Sequence, residues 1–471
     1  MQAKITFGPF APDNADHATD GMQVADGAYP SANGYRPIGA FSQITTALTG
    51  GFKGGAAFIA TDGTIRMLAG DDTSLYSYVS NMWASRIDSL TVSTRWDFTQ
   101  FGDDVVCCYG GAPIKYNVVS DTAEVLAGSP PTAEFCTTVN TDFVLLGSTG
   151  GSNNVVTWSQ QGDVEGWTAG VSLSGSQPIY DGGAIMGLAG GEYGLIIQRF
   201  QVVRMSFTGI SSDPWQFDPI STNYGCVQSG SIAQAGRLVF FYSDRGFVVC
   251  DGTDVKPIGV ERVDNTFRSE YSVSELDAMY AAVDPVRTLV MWVLPDKMWI
   301  YNWSLDQWST AAVPCMGVFD ALTQPLSEAA LVALYGDLDS VPFELDDPFL
   351  AGGAPRAVFV HTDGRFGLLA GDNIAATFAP ARMQLADGRV ARIRFFRPVT
   401  DAISGLSLTV DSRQRLGDPA SNETFTQLHA SGDMPVRAAA TAVKFTFGIA
   451  SATDWDFCQG GVIEFDVGGR R

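Results

Sequence analysis

The chain has 471 residues, 45% of them hydrophobic and 17% charged, so it has the apolar surface to fold throughout but is too long for one ordinary core, which stops growing near ~250–300 residues. Its formal charge of −22 disfavours a tight clamp on nucleic acid, because such binding needs clustered cations that release counterions. A surface that DNA must slide past is better acidic than basic, and acidity also keeps a large protein soluble.

Residues 1–40 are rich in Pro, Gly and Asp with few apolar clusters, and predict an extended arm. The phrase FIATDGTIRMLAGD, Phe58 to Asp71, then opens the structured region and returns 301 residues later as FVHTDGRFGLLAGD, Phe359 to Asp372, with eight of fourteen positions identical. Each copy reads as a β-hairpin around a Thr-Asp-Gly turn. Between them lie five more units of apolar strand, turn and strand: 103–119, 141–159, 193–209, 236–259 and 287–309. Their spacing of roughly forty to fifty residues is that of propeller blades. Val, Ile, Phe, Tyr and Trp dominate these runs, which are too short for helices and suit a pleated, packed surface. Two helices are expected: one after the capping box Ser272-Val-Ser-Glu275, running through LDAMYAA, and one in LSEAALVALYG, Leu326 to Gly336.

Beyond about residue 376 the strands RVARIRFFRPV, GLSLTVDSR, AVKFTFGIA and GVIEFDV alternate apolar and polar residues, which predicts a separate sandwich. The expected fold is therefore all-β: an arm over 1–40, a β-propeller of six or seven blades (seven the better fit) over 41–375, and a C-terminal β-sandwich over 376–471. The twin hairpins would be the first and last blades, adjacent where the ring closes.

Chemistry is sparse. Seven Cys (Cys107, Cys108, Cys136, Cys226, Cys250, Cys315, Cys458) lack disulfide spacing and mostly lie in apolar runs, which predicts reduced core thiols. The three His, His17, His361 and His429, fit no metal pattern or nucleophile–base pair. No G-x-S-x-G elbow, phosphate loop or calcium loop occurs, so no catalytic residue, metal or cofactor is expected. The Asp-box of propeller glycosidases is missing, and Asp in turns has a structural cause, since its side chain bonds the turn backbone. Trp158, Trp167, Trp292, Trp299, Trp303 and Trp308 could form a carbohydrate platform, but their blade-like recurrence fits packing better. The N-terminus lacks an apolar signal segment and no run long enough to span a membrane occurs; synthesis in a cytosol is expected.

One basic stretch stands out: Arg382, Arg389, Arg392, Arg394 and Arg397. Arg392 and Arg394 share one strand face. In so acidic a chain, Arg392, Arg394 and Arg397 are candidates for a subunit interface, Arg being better suited than Lys to intersubunit pairing.

The succession GLIIQRFQVVRMSFTG, a Trp-Gln-Phe segment, and NYGCVQSGSIAQAGRLVFFYSDRGFVVCDGTDVKPIG, followed by TFRSEYSVSELDAMYAAVD and RTLVMWVLPDKMWIYNWSLDQWS, resembles the tail hub or nozzle proteins of short-tailed bacteriophages, also called packaged-DNA stabilisation proteins. The likeness is best over residues 185–310. It implies a structural virion protein made in the bacterial host's cytoplasm: a propeller subunit in a homohexameric ring below the portal and its adaptor ring. Such a ring continues the DNA channel without sequence-specific binding, retains the genome and carries needle, spike or fibre proteins. The competing reading is a propeller that binds or hydrolyses glycans.

Overall fold

The computed structural model describes residues 1–17, 21–322, 328–341, 355–386, 388–415 and 417–468. Seven four-stranded antiparallel units succeed one another along the chain, six as separate sheets and one within a nine-stranded sheet. Blades one to six occupy 54–87, 97–125, 135–178, 185–221, 233–257 and 280–311. Blade seven combines Cys315–Leu322, Pro355–His361 and Phe366–Asn373 with Gly39–Gln43 from the other end of the chain, which pairs with Phe366–Asn373 as its outermost strand. The first strand of blade one, Gly54–Ile59, touches the first strands of both blade two and blade seven. The fold is a closed seven-bladed propeller.

The units legible in the sequence are mostly the second and third strands of each blade, and the second strands above all are covered on both faces. Val105–Cys108 and Leu289–Val293 are buried throughout, so they need apolar residues at every position. The first strands of blades one, five and six are rich in small residues, among them Gly54, Gly55, Ala56, Ala233, Ala281 and Ala282.

The twin hairpins lie in neighbouring blades, and their side chains share one core in which Met67 and Ala69 meet Val358, Val360, Phe366 and Leu368. Their positions are not equivalent, however. The Phe58 copy joins strands one and two of its blade, whereas the Phe359 copy joins strands two and three. What they share is the turn: Gly63 and Gly364 have φ of +87° and +85°, and Asp62 and Asp363 each accept the backbone N–H two residues on.

The helix expected after Ser272 is corrected. Half of the capping box forms, with Ser272 N and Oγ donating to Glu275 Oε2 at 2.7 and 2.6 Å while the Glu275 N–H goes to the Ser272 carbonyl, and only one 3-10 turn, Leu276–Ala278, follows. Tyr280–Asp284 then becomes the first strand of blade six, because ladder pairing with Leu289–Val293 outweighs local helix preference. The helix in this connection lies upstream, at Asp264–Glu270. In the second segment Glu328–Tyr335 is helical; Leu326 and Ser327 lie outside the described residues.

The N-terminal segment is not a free arm. Gln2–Thr6 pairs with Cys458–Val467, the hairpin Ala28–Ser31/Gly34–Pro37 joins the same sheet, and Met22–Asp26 pairs with Ala376–Pro380. Met22, Ala25, Ala28 and Tyr35 are fully buried there. The sandwich is thus built from both chain ends: Cys458–Val467, Ala391–Thr400 and Met434–Ala440 complete one sheet, and Ala442–Ile449, Leu406–Arg413 and Ser421–Phe425 the other. Met22–Asp26 also joins the last strand of blade six through Asp26 and Thr310, making one nine-stranded sheet across sandwich and propeller. A single core runs from Phe396 and Phe447 of the sandwich to Trp292, Trp299 and Trp308 of blade six. Ring contacts hold its propeller end, with Phe247 at 4.6 Å from Trp292 and 4.8 Å from Phe267, each pair worth about 0.5–1.5 kcal/mol beyond its buried area.

Candidate functional site

The first strands of the blades surround an axial cavity of about 330 Å³. Arg95, in the connection entering blade two, reaches across to the start of blade six. Its guanidinium donates to the carbonyls of Met279 and Asp277 and lies 3.8 Å from the Tyr280 ring centre. Gly230 makes room for it, because a Cβ there would stand 1.7 Å from Arg95 Nη1. Burial lowers the Arg95 pKa, but a guanidinium stays charged at any pH a protein survives.

Two carboxyls line the same cavity. Asp97 Oδ2 accepts the Cys136 N–H of blade three at 2.9 Å, and Asp320 Oδ1 accepts the Val283 N–H of blade six at 2.6 Å. Each ties the first strand of one blade to that of the next. Thr99 and Thr138 do the same through their hydroxyls, 2.8 Å apart. Asp320 is exposed toward the cavity, yet the blade strands crowd around it as they do around Asp97, and desolvation pushes both carboxyls up to about 7. The cavity residues therefore already serve as ties between blades.

Other candidate chemistry is dispersed or enclosed. His361 sits in the blade-seven turn, 2.8 Å from Asp363 and against the Phe41 ring, while His429 lies beside Phe395 of the sandwich. Among the described residues no three His, Cys, Asp or Glu side chains gather to hold a metal, and no helix is long and apolar enough to cross a membrane. All seven cysteines are unpaired and buried; burial pushes Cys226, Cys315 and Cys458 up to about 12, which makes them poor nucleophiles. Trp158, Trp167, Trp292, Trp299 and Trp308 are buried and Trp303 half-buried against the same core; these six indoles form no exposed platform.

The arginine cluster divides. Arg382 is buried and holds Asp411 with two bonds, 3.0 and 2.5 Å, with Asp16 behind it at 3.5 Å; its role is internal. Arg389 is exposed in the loop before the sandwich strand Ala391–Thr400. On that strand Arg392, Arg394 and Arg397 all face outward. Simple alternation would turn Arg397 inward with Ile393. A bulge between Ile393 and Phe395 shifts the phase by one residue, burying Phe396 and exposing Arg397. Arg394 pairs with Asp466, and Arg397 holds Asp433 at 2.8 and 3.1 Å.

Sequence reading missed two members of this face. Arg437, two residues from Ala439, which stands opposite Arg392, and Lys4, opposite Val462, point the same way. The alternation in MPVRAAA carried the signal for Arg437; Lys4 was hidden by the expectation of an extended arm over residues 1–40, with no strand in it. Among the described residues Lys4, Arg392 and Arg437 have no ion-pair partner.

The architecture defines a seven-bladed propeller fused to a two-ended β-sandwich. No protein-family model matches the chain, and no curated protein is similar to it in sequence. Solved structures similar to it include the extracellular domain of the one-component system BT4673 of B. thetaiotaomicron, at 11% identity and a TM-score of 0.42, covering 83% of this chain. The match takes in 48% of that protein, so the chain spans about half its length. U3-55K (9% identity, TM-score 0.37) and the WD40 domain of Neurospora crassa Pan2 (8%, 0.38) each match 59% of this chain and 88% of their own. These likenesses concern the fold alone. The resemblance to phage tail hubs rests on the residues quoted above for it.

Proposed function

We propose that the chain is a structural subunit of a bacteriophage tail: a hub or nozzle ring that continues the DNA channel below the portal and adaptor, retains the packaged genome and carries distal tail proteins. The observation that carries this reading is the outward sheet of the sandwich. It presents five cations, Lys4, Arg392, Arg394, Arg397 and Arg437, against the three acids Asp433, Glu464 and Asp466 on the same side, in a chain of net charge −22, as a face that docks against an acidic neighbour would. Welding of the sandwich to blade six supports it as well, because a subunit transmitting load within a ring needs its docking face fixed to its body. The axial cavity of a single propeller is spanned by Arg95 and far too small for a duplex, so the DNA path belongs to the ring of subunits. The six tryptophans, five buried and Trp303 half-buried, lend the glycan reading no support.

Electron microscopy of the purified protein tests the proposal. The expected particle is a closed six-fold ring with a lumen of about 20 Å or more, the width a B-form duplex requires. A chain that stays monomeric at high concentration overturns it.

A further inference from the structure

Charge is divided between the two ends of the molecule. Residues 1–375 hold 18 of the 29 cations and 41 of the 51 anions, a net −23, whereas residues 376–471 hold 11 and 10, a net +1. Within the propeller the anions are also sorted by face. Strands alternate in direction, so the turns joining strands one and two, and those joining three and four, fall on one face of the ring. In blades one to four these turns are 60–64, 80–81, 102–103, 118–121, 140–142, 159–174, 190–193 and 208–214. They contain eight acidic residues and no Lys or Arg. Two of these turns touch directly, with Thr61 N and Oγ1 donating to Asp103 at 2.7 and 2.9 Å, so the face is continuous across blades one and two. Asp62, Asp103, Asp142, Asp163, Glu192 and Asp213 have no ion-pair partner among the described residues. The opposite face differs, since its turns mix signs: Arg199 with Asp244, Lys297 with Glu270, and Arg365 with Asp363.

We propose that this acidic turn face of blades one to four is the docking surface for the basic outer sheet of the sandwich of a second copy of the chain. Two different patches on one subunit then meet, a head-to-tail contact that closes into a ring when its rotation divides a full turn. Charge complementarity argues for a second copy as the occupant. Each subunit carries both halves of the contact: unpaired cations on the outer sheet of the sandwich, and a propeller face whose turns hold no Lys or Arg and whose acids, Asp121 and Glu165 apart, are unpaired. Opposite patches of this kind speed encounter and set orientation, and juxtaposed like charges cost several kcal/mol. The inference rests on the ring reading above and adds which two surfaces meet.

Two reversed variants test it. The first carries Lys4→Glu, Arg392→Glu and Arg437→Glu; the second carries Asp142→Lys, Glu192→Lys and Asp213→Lys. All six residues are at the surface, and circular dichroism with thermal melting checks that both variants fold. Each variant alone is expected to need more than about tenfold higher concentration to assemble, as read by analytical ultracentrifugation. An equimolar mixture should recover assembly, because reversed sandwiches meet reversed propellers in alternation around an even-membered ring. A wild-type ring indifferent to both reversals, or folded variants that fail to rescue each other, overturns this contact and leaves the ring reading standing. A wild-type chain that never assembles removes both.

Discussion

Asp13 caps a helix some 250 positions further along the chain. Its carboxylate accepts the backbone N–H groups of Asn265 and Thr266 at 2.8 and 2.7 Å and the Thr266 hydroxyl at 2.7 Å, at the start of the seven-residue helix Asp264–Glu270. The native N-cap, Val263, offers no side-chain bond, so the arm supplies what the local sequence lacks. Asp13→Ala should lower stability by about 1–2 kcal/mol, read as an earlier urea midpoint at unchanged slope. Asp97 and Asp320 act in the opposite sense. An unfolded Asp titrates near ~4, whereas confinement holds these two up at about 7. Between those values the folded state binds more protons than the unfolded one, so their contribution to stability falls as pH rises through that window, and the loss is complete above it. Asp320 is the more exposed of the two, so solvent screening makes its share the smaller. Asn at either position keeps an oxygen to accept the Cys136 or Val283 N–H. Asp97→Asn and Asp320→Asn should therefore melt higher than the parent at pH 8 and alike at pH 4. A lower melting temperature at pH 8 would mean that the ionised forms hold the blades together.

At the scale of elements, what the sequence revealed depended on how strands are covered. Second blade strands are enclosed on both faces and read as continuous apolar runs, as in VVCCY and LVMWV. First strands face the channel, those of blades one, five and six with small residues, and fourth strands such as Thr122–Val125 are largely exposed, so neither leaves a strong pattern. Residues 39–43 carried no local sign of closing blade seven, because a strand that pairs more than three hundred positions away is specified by its partner's open edge. The twin hairpins show a further limit. The same phrase suits two different places in a blade, since both demand a tight Asp-Gly turn between buried strands; identity located the neighbouring blades but not the register. Arg392 and Arg394 were legible as surface residues from alternation alone. Arg397 reached the same face through a bulge that no periodicity announces, and the Ser272 capping box formed only its carboxylate half, ahead of a single turn.

The whole molecule is tied together by the crossing of its two ends. Residues 1–37 give four strands to the sandwich, residues 39–43 close the propeller, and one hydrophobic core spans both bodies. Tyr35 illustrates the dependence: it belongs to the arm, lies fully buried, meets the Phe378 ring at 5.2 Å and bonds the Gly8 carbonyl at 2.9 Å. A fragment of residues 376–471 lacks Tyr35, Phe7 and Met22 and leaves two sheet edges open, the arrangement least able to stay folded and soluble. Such a fragment should be unfolded by circular dichroism and should gain strand signal when a peptide of residues 1–38 is added. The intact chain, for the same reason, should melt in one calorimetric transition with matching calorimetric and van't Hoff enthalpies. Two separated transitions would mean that the shared core does not couple sandwich to propeller. The sandwich face would then hang on a hinge, and a ring that depends on its fixed orientation could not form by the contact proposed above.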